Sequence, residues 1–580
     1  MSFSSLTSSR SFDFLASVRA RNPEARRAAA EAAIPLALAA AAWVLYGSVL
    51  RLWWTYDDFF HYHFLVSHSP FWYFFDLAAD RQRPVLTPLL FFSLDVDRRL
   101  FGHDPYPFYL HHLLALSVCP AALYGALRPW LPRWWSAAGA WLFLIAPVTA
   151  SLVLMVMVRH YIEVIVLAAL AVMAWAGALR RASGAGAWRL ALISAALYFA
   201  ACMTKETAVP LFLLLPFLPP PAGHRGPDFA ARARLALPHA AAFALYLVLR
   251  FTLLDAPLGG YGFAVTLAGL PALALELPGK IAWELVGGRL SPAAAVFAAA
   301  LAGGVLALFL SRGWRAACLT GLALLLAMLP ALPVSTHMEP RYAVPACIVL
   351  AVAFAAGCRA LAAGESATRR GTAVALGLAA CISGLVLNRQ DWSVRLATSE
   401  RMSAEHRFIL EMKDGDLLRQ PITLAASLKE LEWMKQTVYR RPPSGRWFQD
   451  DLYLCVHRGQ LGRVWGWDSA ARRVVALTAR IPAVRERHCS AIRAAAPLSA
   501  SFRFSGENFF WDLGPYRAGR YRFVLGDGVE AYDVPRSATF RVGPIGALPL
   551  RTEYVSPAGW TTYSPELRLR EGSSVRWSRP

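Results

Sequence analysis

Lysine is nearly missing from this chain. Only Lys205, Lys280, Lys413, Lys429 and Lys435 occur against a Lys plus Arg total of 59, so arginine carries almost all of the positive charge. Charge of either sign is scarce: Asp, Glu, Lys and Arg together make up 17% of 580 residues, hydrophobic residues 56%, and mean hydropathy is +0.39. Such a balance excludes a soluble globular chain of this length. Cysteine is sparse as well, at eight residues. Six (Cys119, Cys202, Cys318, Cys347, Cys358, Cys381) lie in or beside apolar stretches, where thiols act as small hydrophobes, which excludes a disulfide-dense scaffold. Only Cys455 and Cys489 fall in the polar tail, as one candidate pair. No short apolar core with a small-residue cleavage site precedes residue 33, so the first apolar stretch reads as a retained anchor. No tandem repeat of roughly 34 residues is present, which excludes a helical solenoid.

What the sequence does have is about eleven apolar stretches, at 33–50, 108–127, 136–156, 161–179, 190–204, 207–222, 238–254, 291–310, 316–334, 342–362 and 371–388. Most are long enough to cross a ~30 Å hydrocarbon layer as helices. Arginines crowd one set of alternate connections: Arg10, Arg19, Arg21, Arg26, Arg27, Arg128, Arg133, Arg180, Arg181, Arg189, Arg225, Arg232, Arg234, Arg312, Arg315, Arg359, Arg369 and Arg370. Such a bias marks the cytoplasmic side. The expected fold is therefore a polytopic α-helical membrane protein with its N-terminus inside and its tail outside. The net charge of +21 sits mostly in these inner connections, so topology and anionic membrane lipids account for it, and nucleic acid is not a partner. The arginine bias and the Ala, Pro and Gly load point to a GC-rich bacterial genome and hence a bacterial inner membrane.

The chain divides into a basic cytoplasmic tail (1–32), a transmembrane part (33–388) interrupted by a long first outer loop (51–107), and an extracytoplasmic part (389–580). The first loop is aromatic, as interfacial segments are. The last part opens with a helical pattern at 399–412. It then alternates in short runs (501–504, 521–525, 538–542) separated by Gly and Pro turns, the pattern of a small antiparallel β-sandwich.

The other set of connections carries the unusual charges. Asp57-Asp58 follows the first apolar stretch, with His61 and His63 just beyond. A carboxylate held above the bilayer by a helix end is placed to act as general base on a docked hydroxyl, while the plainer reading is an interfacial stop for the first span. Asp58 and His61 at helical spacing are two weak metal-ligand candidates without a third, so no metal is required and a divalent ion stays open. Arg81 and Arg83 flank Gln82 in the same loop and suit phosphate recognition or plain anchoring. Arg159-His160 joins two spans with almost no loop. Lys205-Glu206 splits two apolar stretches, because an ion pair at mid-bilayer costs several kcal/mol, of order 2.5–3.5 per charge. Glu339-Pro340-Arg341-Tyr342 precedes the tenth stretch. Converging at one face, these cations would form an anion site where a lipid-linked phosphate sits.

Several segments resemble a known family. Tyr56-Asp57-Asp58 resembles the acidic motif of the type C glycosyltransferases. The stretch 83–94, Phe101-Gly102-His103-Asp104-Pro105, Tyr109-Leu110-His111-His112-Leu113-Leu114, Thr204-Lys205-Glu206-Thr207-Ala208-Val209-Pro210, Glu339-Pro340-Arg341-Tyr342 and 389–392 resemble the membrane part of the tetratricopeptide-bearing transmembrane O-mannosyltransferases and the protein O-mannosyltransferases. The matches run in order across 51–392. The repeats of that family are absent, so protein mannosylation does not carry over, and only Arg159-His160 remains of the polar motif before the fourth stretch. The resemblance implies a glycosyltransferase that takes a sugar from a polyprenyl-phosphate donor and passes it, with inversion, to an extracytoplasmic glycan, lipid or protein. Asp57, or Asp58 beside it, is expected as base. Lys205 and Arg341, with Arg83 and Arg159, are expected at the donor phosphate. His61, Arg81, His160, Glu206, Glu339 and Tyr342 are further site candidates. A transporter or flippase for lipid-linked saccharides is the competing class, but it would show paired halves with interrupted helices near mid-membrane.

Overall fold

The computed structural model describes residues 23–55, 58–67, 86–181, 184–224, 226–254, 270–411, 422–423, 447–448, 455, 465–468, 470–476, 479, 481–505, 508–525, 530–541, 548–570 and 572–580. The membrane part is built of α1 (Pro23–Tyr46), α2 (Asp58–Ser67), α3 (Pro88–Phe101), α4 (Pro105–Leu127), α5 (Arg133–Ile145), α6 (Arg159–Arg181), α7 (Ala185–Thr204), α8 (Leu237–Leu253), α9 (Leu270–Leu285), α10 (Pro292–Arg312), α11 (Trp314–Met328), α12 (Val344–Ala362) and α13 (Ala367–Glu411). Local chemistry sets many boundaries. Asp104 caps α4 by accepting from the Tyr106 amide at 3.0 Å, ahead of Pro105 at the first helical position. Ser291 caps α10 in the same way through the Ala294 amide at 3.1 Å, and Gly313 at φ +72° ends it. Such caps satisfy amides that a helix leaves orphaned. α10 and α12 cross closely at Gly304 and Gly357, where a Cβ on Gly357 would collide with the Gly304 carbonyl.

Among the described residues, eight helices are long and apolar enough to cross a membrane, or nine if the pair Phe229–Leu235 and Leu237–Leu253, bent by 43°, is one span. The chain is a multi-pass helical membrane protein. Two of the expected stretches are shorter. The helix Glu206–Phe217 nevertheless carries the chain back across the bundle: Trp175 Nε1 donates to the Leu215 carbonyl at 3.1 Å, and beyond it the Ala222 amide reaches Pro129 O at 2.9 Å. The stretch 136–156 does not run as one helix. α5 stops at Ile145, and the backbone to Met155 is a short turn and irregular chain whose residues are almost all buried. Irregular backbone at membrane depth is tolerated only where protein satisfies it. Here Tyr46 Oη donates to Leu144 O at 2.8 Å, Asn388 Nδ2 to Ala146 O at 3.1 Å, and His112 Nε2 to Leu152 O at 2.7 Å.

The helices share a polarity. Arg128, Arg180 with Arg181, Arg312 and Arg359 lie at the C-terminal ends of α4, α6, α10 and α12, while Asp104, Arg159, Ser291 and Arg341 stand at their N-terminal ends. α13 is 45 residues long, about 68 Å at the usual rise. It crosses the layer and continues beyond it on the side of the first loop; the division expected at residue 389 lies inside this helix. A reporter fused after Arg234 is expected on the cytoplasmic side and one fused after Asn388 on the opposite side. Both reporting the same side would remove the outward-facing surface.

The C-terminal part is β-rich. Two small ladders come first, β1 (Ile422–Thr423) with β2 (Trp447–Phe448) and β3 (Trp465–Asp468) with β4 (Arg473–Ala476), and Cys455 is joined to Cys489. Then come β5 (Leu498–Ser505), β6 (Asn508–Gly514), β7 (Arg520–Leu525), β8 (Glu530–Val534), β9 (Ser537–Arg541), β10 (Leu548–Val555), β11 (Thr561–Tyr563), β12 (Leu567–Leu569) and β13 (Ser574–Arg579). One antiparallel sheet runs β13-β5-β6-β9; the other runs β11-β10-β7-β8, with β12 also on β10. Alternate residues of β5 are buried, as a half-covered strand requires. Phe502 of one sheet meets Phe523 of the other at 5.7 Å in a shared core with Trp511, Leu550 and Tyr554.

Candidate functional site

The acidic segment is held by the irregular chain after α5. Asp58 opens α2, is 2% exposed, and accepts from the Met157 amide (Oδ1, 2.9 Å) and the Thr55 amide (Oδ2, 3.2 Å). Tyr109 Oη lies 3.4 Å from Oδ2, and Thr55 Oγ1 donates to the Leu154 carbonyl at 2.9 Å. Asp58 therefore binds the start of α2 to the chain leading into α6. Its neighbour Asp57 lies outside the described residues, as do Arg81 and Arg83.

Beside this segment the structure brings together residues from three distant connections. α7 ends at Thr204, and Lys205 is extended, 4% exposed, and paired through Nζ with Glu206 Oε1 at 2.7 Å. Its ammonium stands 5.0 Å from the centre of the Tyr161 ring. Tyr161 in turn faces Tyr342 at 6.4 Å, and the guanidinium of Arg341 lies 5.5 Å from the Tyr342 ring while pairing with Glu339 at 2.9 Å. Lys205 and Arg341 thus flank a pair of tyrosines, buried at the C-terminal end of α7 and the N-terminal end of α12. Cations over aromatic faces gain electrostatically when desolvated. His160 fixes its Nδ1 on the Met157 carbonyl at 2.7 Å. It lies within electrostatic reach of Lys205, His61 and Arg341, and His61 stacks on Phe91 at 5.7 Å. Lys205, Glu206, Arg341, Glu339, Tyr342, His160 and His61 are therefore one neighbourhood. On α9, which packs beside this region, burial raises the Glu284 carboxyl above its ordinary value; the Arg395 charge opposes this, and Asp391 and Glu339 add to it.

Arg159 is built differently. It is fully buried, with Nη1 on Asp97 Oδ2 at 2.6 Å and Nη2 on the Phe108 carbonyl at 2.8 Å. Asp97 also meets His111 Nδ1 at 2.8 Å, and Ser93 bridges from Arg159 (3.1 Å) to Glu163 (2.6 Å). Arg159 ties α6 to α3 and α4. The sequence reading missed Asp97, although an arginine at a span end calls for a carboxylate partner and Asp97 lies in the connection between the first two apolar stretches. It also missed Tyr161, whose place beside His160 repeats the Arg341-Tyr342 pattern. Among the described residues no three His, Cys, Asp or Glu side chains gather as a metal site. Asp58 already accepts one amide on each carboxylate oxygen, from Met157 and from Thr55.

No protein-family model matches the chain, and no curated protein matches it. Among solved structures it is similar to the oligosaccharyltransferase AglB of Archaeoglobus fulgidus in complex with an inhibitory peptide and a dolichol-phosphate, at 12% identity over 88% of this chain and 76% of that one, TM-score 0.44. The apo form of the Archaeoglobus fulgidus oligosaccharyltransferase aligns at 13% identity over 94% and 76%, TM-score 0.45. ArnT from Cupriavidus metallidurans bound to undecaprenyl phosphate aligns at 14% identity over 71% and 85%, TM-score 0.36. At these levels no property of those proteins is carried over to this chain.

Proposed function

We propose that this protein is an integral-membrane glycosyltransferase of the bacterial inner membrane, using a polyprenyl-phosphate-linked sugar and an acceptor hydroxyl on a glycan, lipid or protein at the outer face. The observation that carries the reading is the convergence of Lys205 and Arg341 around Tyr161 and Tyr342, at the ends of apolar helices, with His160 and Asp58 both bonded to Met157 beside them. A polyprenyl phosphate needs such a place, since its headgroup must meet cations while its chain stays in lipid.

In the proposed step Asp57 takes the proton of the acceptor hydroxyl, whose oxygen bonds to the anomeric carbon from the face opposite the phosphate. The anomeric carbon–oxygen bond to phosphate breaks, and its electron pair leaves with the lipid phosphate, stabilised by Lys205 and Arg341. Inversion follows from the single displacement. Asp58, engaged with two backbone amides, orients the segment, and Arg159 acts through Asp97 on the frame. Arg83 and Arg81 are assigned to the same outer surface. A monophosphate leaving group can be held by these cations, so no metal is required.

The test is sugar transfer in membranes with a polyprenyl-phosphate sugar. Losing one charge-assisted contact costs roughly 1.5–3 kcal/mol, so Arg341→Met is expected to raise the donor KM about tenfold to a hundredfold with little change for the acceptor. Removing Lys205 alone would strand Glu206, so Lys205→Met is combined with Glu206→Gln, with the same expectation. Wild-type donor saturation in both variants would place the phosphate elsewhere.

A further inference from the structure

Beyond the layer, the outer half of α13 meets three separate parts of the chain. Its Asp391 accepts from Arg395 at 2.6 Å and lies 3.6 Å from Arg289, which follows α9. Its Glu400 pairs with Arg472 of the C-terminal part. Ser403 and His406 hold the first outer loop. The Trp53 amide donates to Ser403 Oγ at 2.9 Å, and that hydroxyl donates back to the Trp53 carbonyl at 3.2 Å. His406 Nδ1 donates to the Trp54 carbonyl at 3.0 Å. Ser403 is 5% exposed and His406 2%.

These contacts span about 350 residues of sequence and land on the two residues before Thr55, whose amide binds Asp58. On its other side the same backbone is held by Tyr109 Oη, 3.2 Å from the Trp53 carbonyl. We propose that Ser403 and His406 are positioning residues for the acidic segment, and that the far half of α13 is the strut that sets where the Asp58 carboxylate stands. The inference rests on the glycosyltransferase reading for its catalytic consequence but not for the clamp itself. Two backbone carbonyls and one amide fixed on a 45-residue helix hold the peptide planes of residues 53–55. Catalysis is steep in such placement, since a misplacement of ~1 Å can cost roughly a hundredfold.

The test joins two measurements on the full-length protein in detergent or nanodiscs. Backbone hydrogen exchange over residues 52–58 reads the clamp, and transfer kinetics from a polyprenyl-phosphate sugar read its consequence. Ser403→Ala and His406→Phe are each expected to speed exchange roughly tenfold, as loss of one buried hydrogen bond does, and to lower kcat about 10–100-fold at unchanged donor KM. His406→Asn keeps an N–H donor where Nδ1 stands and is expected to restore both; Ser403→Thr keeps the hydroxyl and is expected to do the same. Unchanged exchange in Ser403→Ala and His406→Phe overturns the clamp. Faster exchange with unaltered kcat, in a protein whose wild type transfers sugar, overturns the positioning role, as does a rise in donor KM with kcat constant. If the wild type transfers no sugar, the glycosyltransferase reading fails, and the exchange measurement still decides whether Ser403 and His406 fix the loop.

Discussion

Asp57→Asn is expected to abolish sugar transfer by about a hundredfold to ten-thousandfold while leaving the protein folded in the membrane. The substitution keeps the volume and removes the basic oxygen, and a positioned general base contributes a rate factor of that order. Asp58→Asn is expected to behave otherwise. Its carboxylate accepts from the Met157 and Thr55 amides, so an amide nitrogen in place of one oxygen would confront a donor with a donor and loosen the start of α2. Transfer should fall in both, but only Asp58→Asn should also lower thermal stability and speed exchange near Thr55. Retained activity in Asp57→Asn with loss in Asp58→Asn at full stability would move the base one residue along. Full activity in both would remove the general-base proposal.

Removing Arg159 is expected to cost stability first. Arg159→Met would leave Asp97 buried without its nearest cation, and breaking a buried pair by removing one partner costs about 3–5 kcal/mol. Asp97 is 2% exposed and Arg159 fully buried, so water cannot readily replace the lost partner. Arg159→Met combined with Asp97→Leu is expected to recover a large part of the loss, since an apolar pair of similar volume carries no unpaired charge. The measurement is the thermal midpoint in detergent micelles, read beside the donor KM. An unchanged midpoint with a raised donor KM would return Arg159 to the phosphate, as its place at a span end suggests.

The sequence was informative where physics is local. Apolar runs mark helices because each residue in lipid contributes its own transfer energy, and 33–50, 161–179, 291–310 and 342–362 all fall on long helices. Lys205-Glu206 marked a helix end because a charged pair cannot lie bare at mid-bilayer, and α7 stops at Thr204. The alternating runs at 501–504, 521–525 and 538–542 correspond to β5, β7 and β9, and the Cys455–Cys489 bond joins the two tail cysteines.

Other features could not be read from the chain order. The stretch 136–156 is as apolar as its neighbours, yet its second half leaves the helix. Its carbonyls are satisfied by Tyr46, His112 and Asn388, side chains that come from three other helices. The same break presents the Met157 amide to Asp58 and the Leu154 carbonyl to Thr55. The carboxylate that pairs with Arg159 stands 62 residues earlier, and nothing in 399–412 hinted that Ser403 and His406 grip Trp53 and Trp54. By itself, then, the sequence determined that the chain is a multi-pass helical membrane protein with a β-rich C-terminal part, since that follows from transfer energies and alternation summed along neighbouring residues. Tertiary structure alone decided which buried donor meets which acceptor, because a buried polar group takes whatever partner the packing supplies, however distant in sequence.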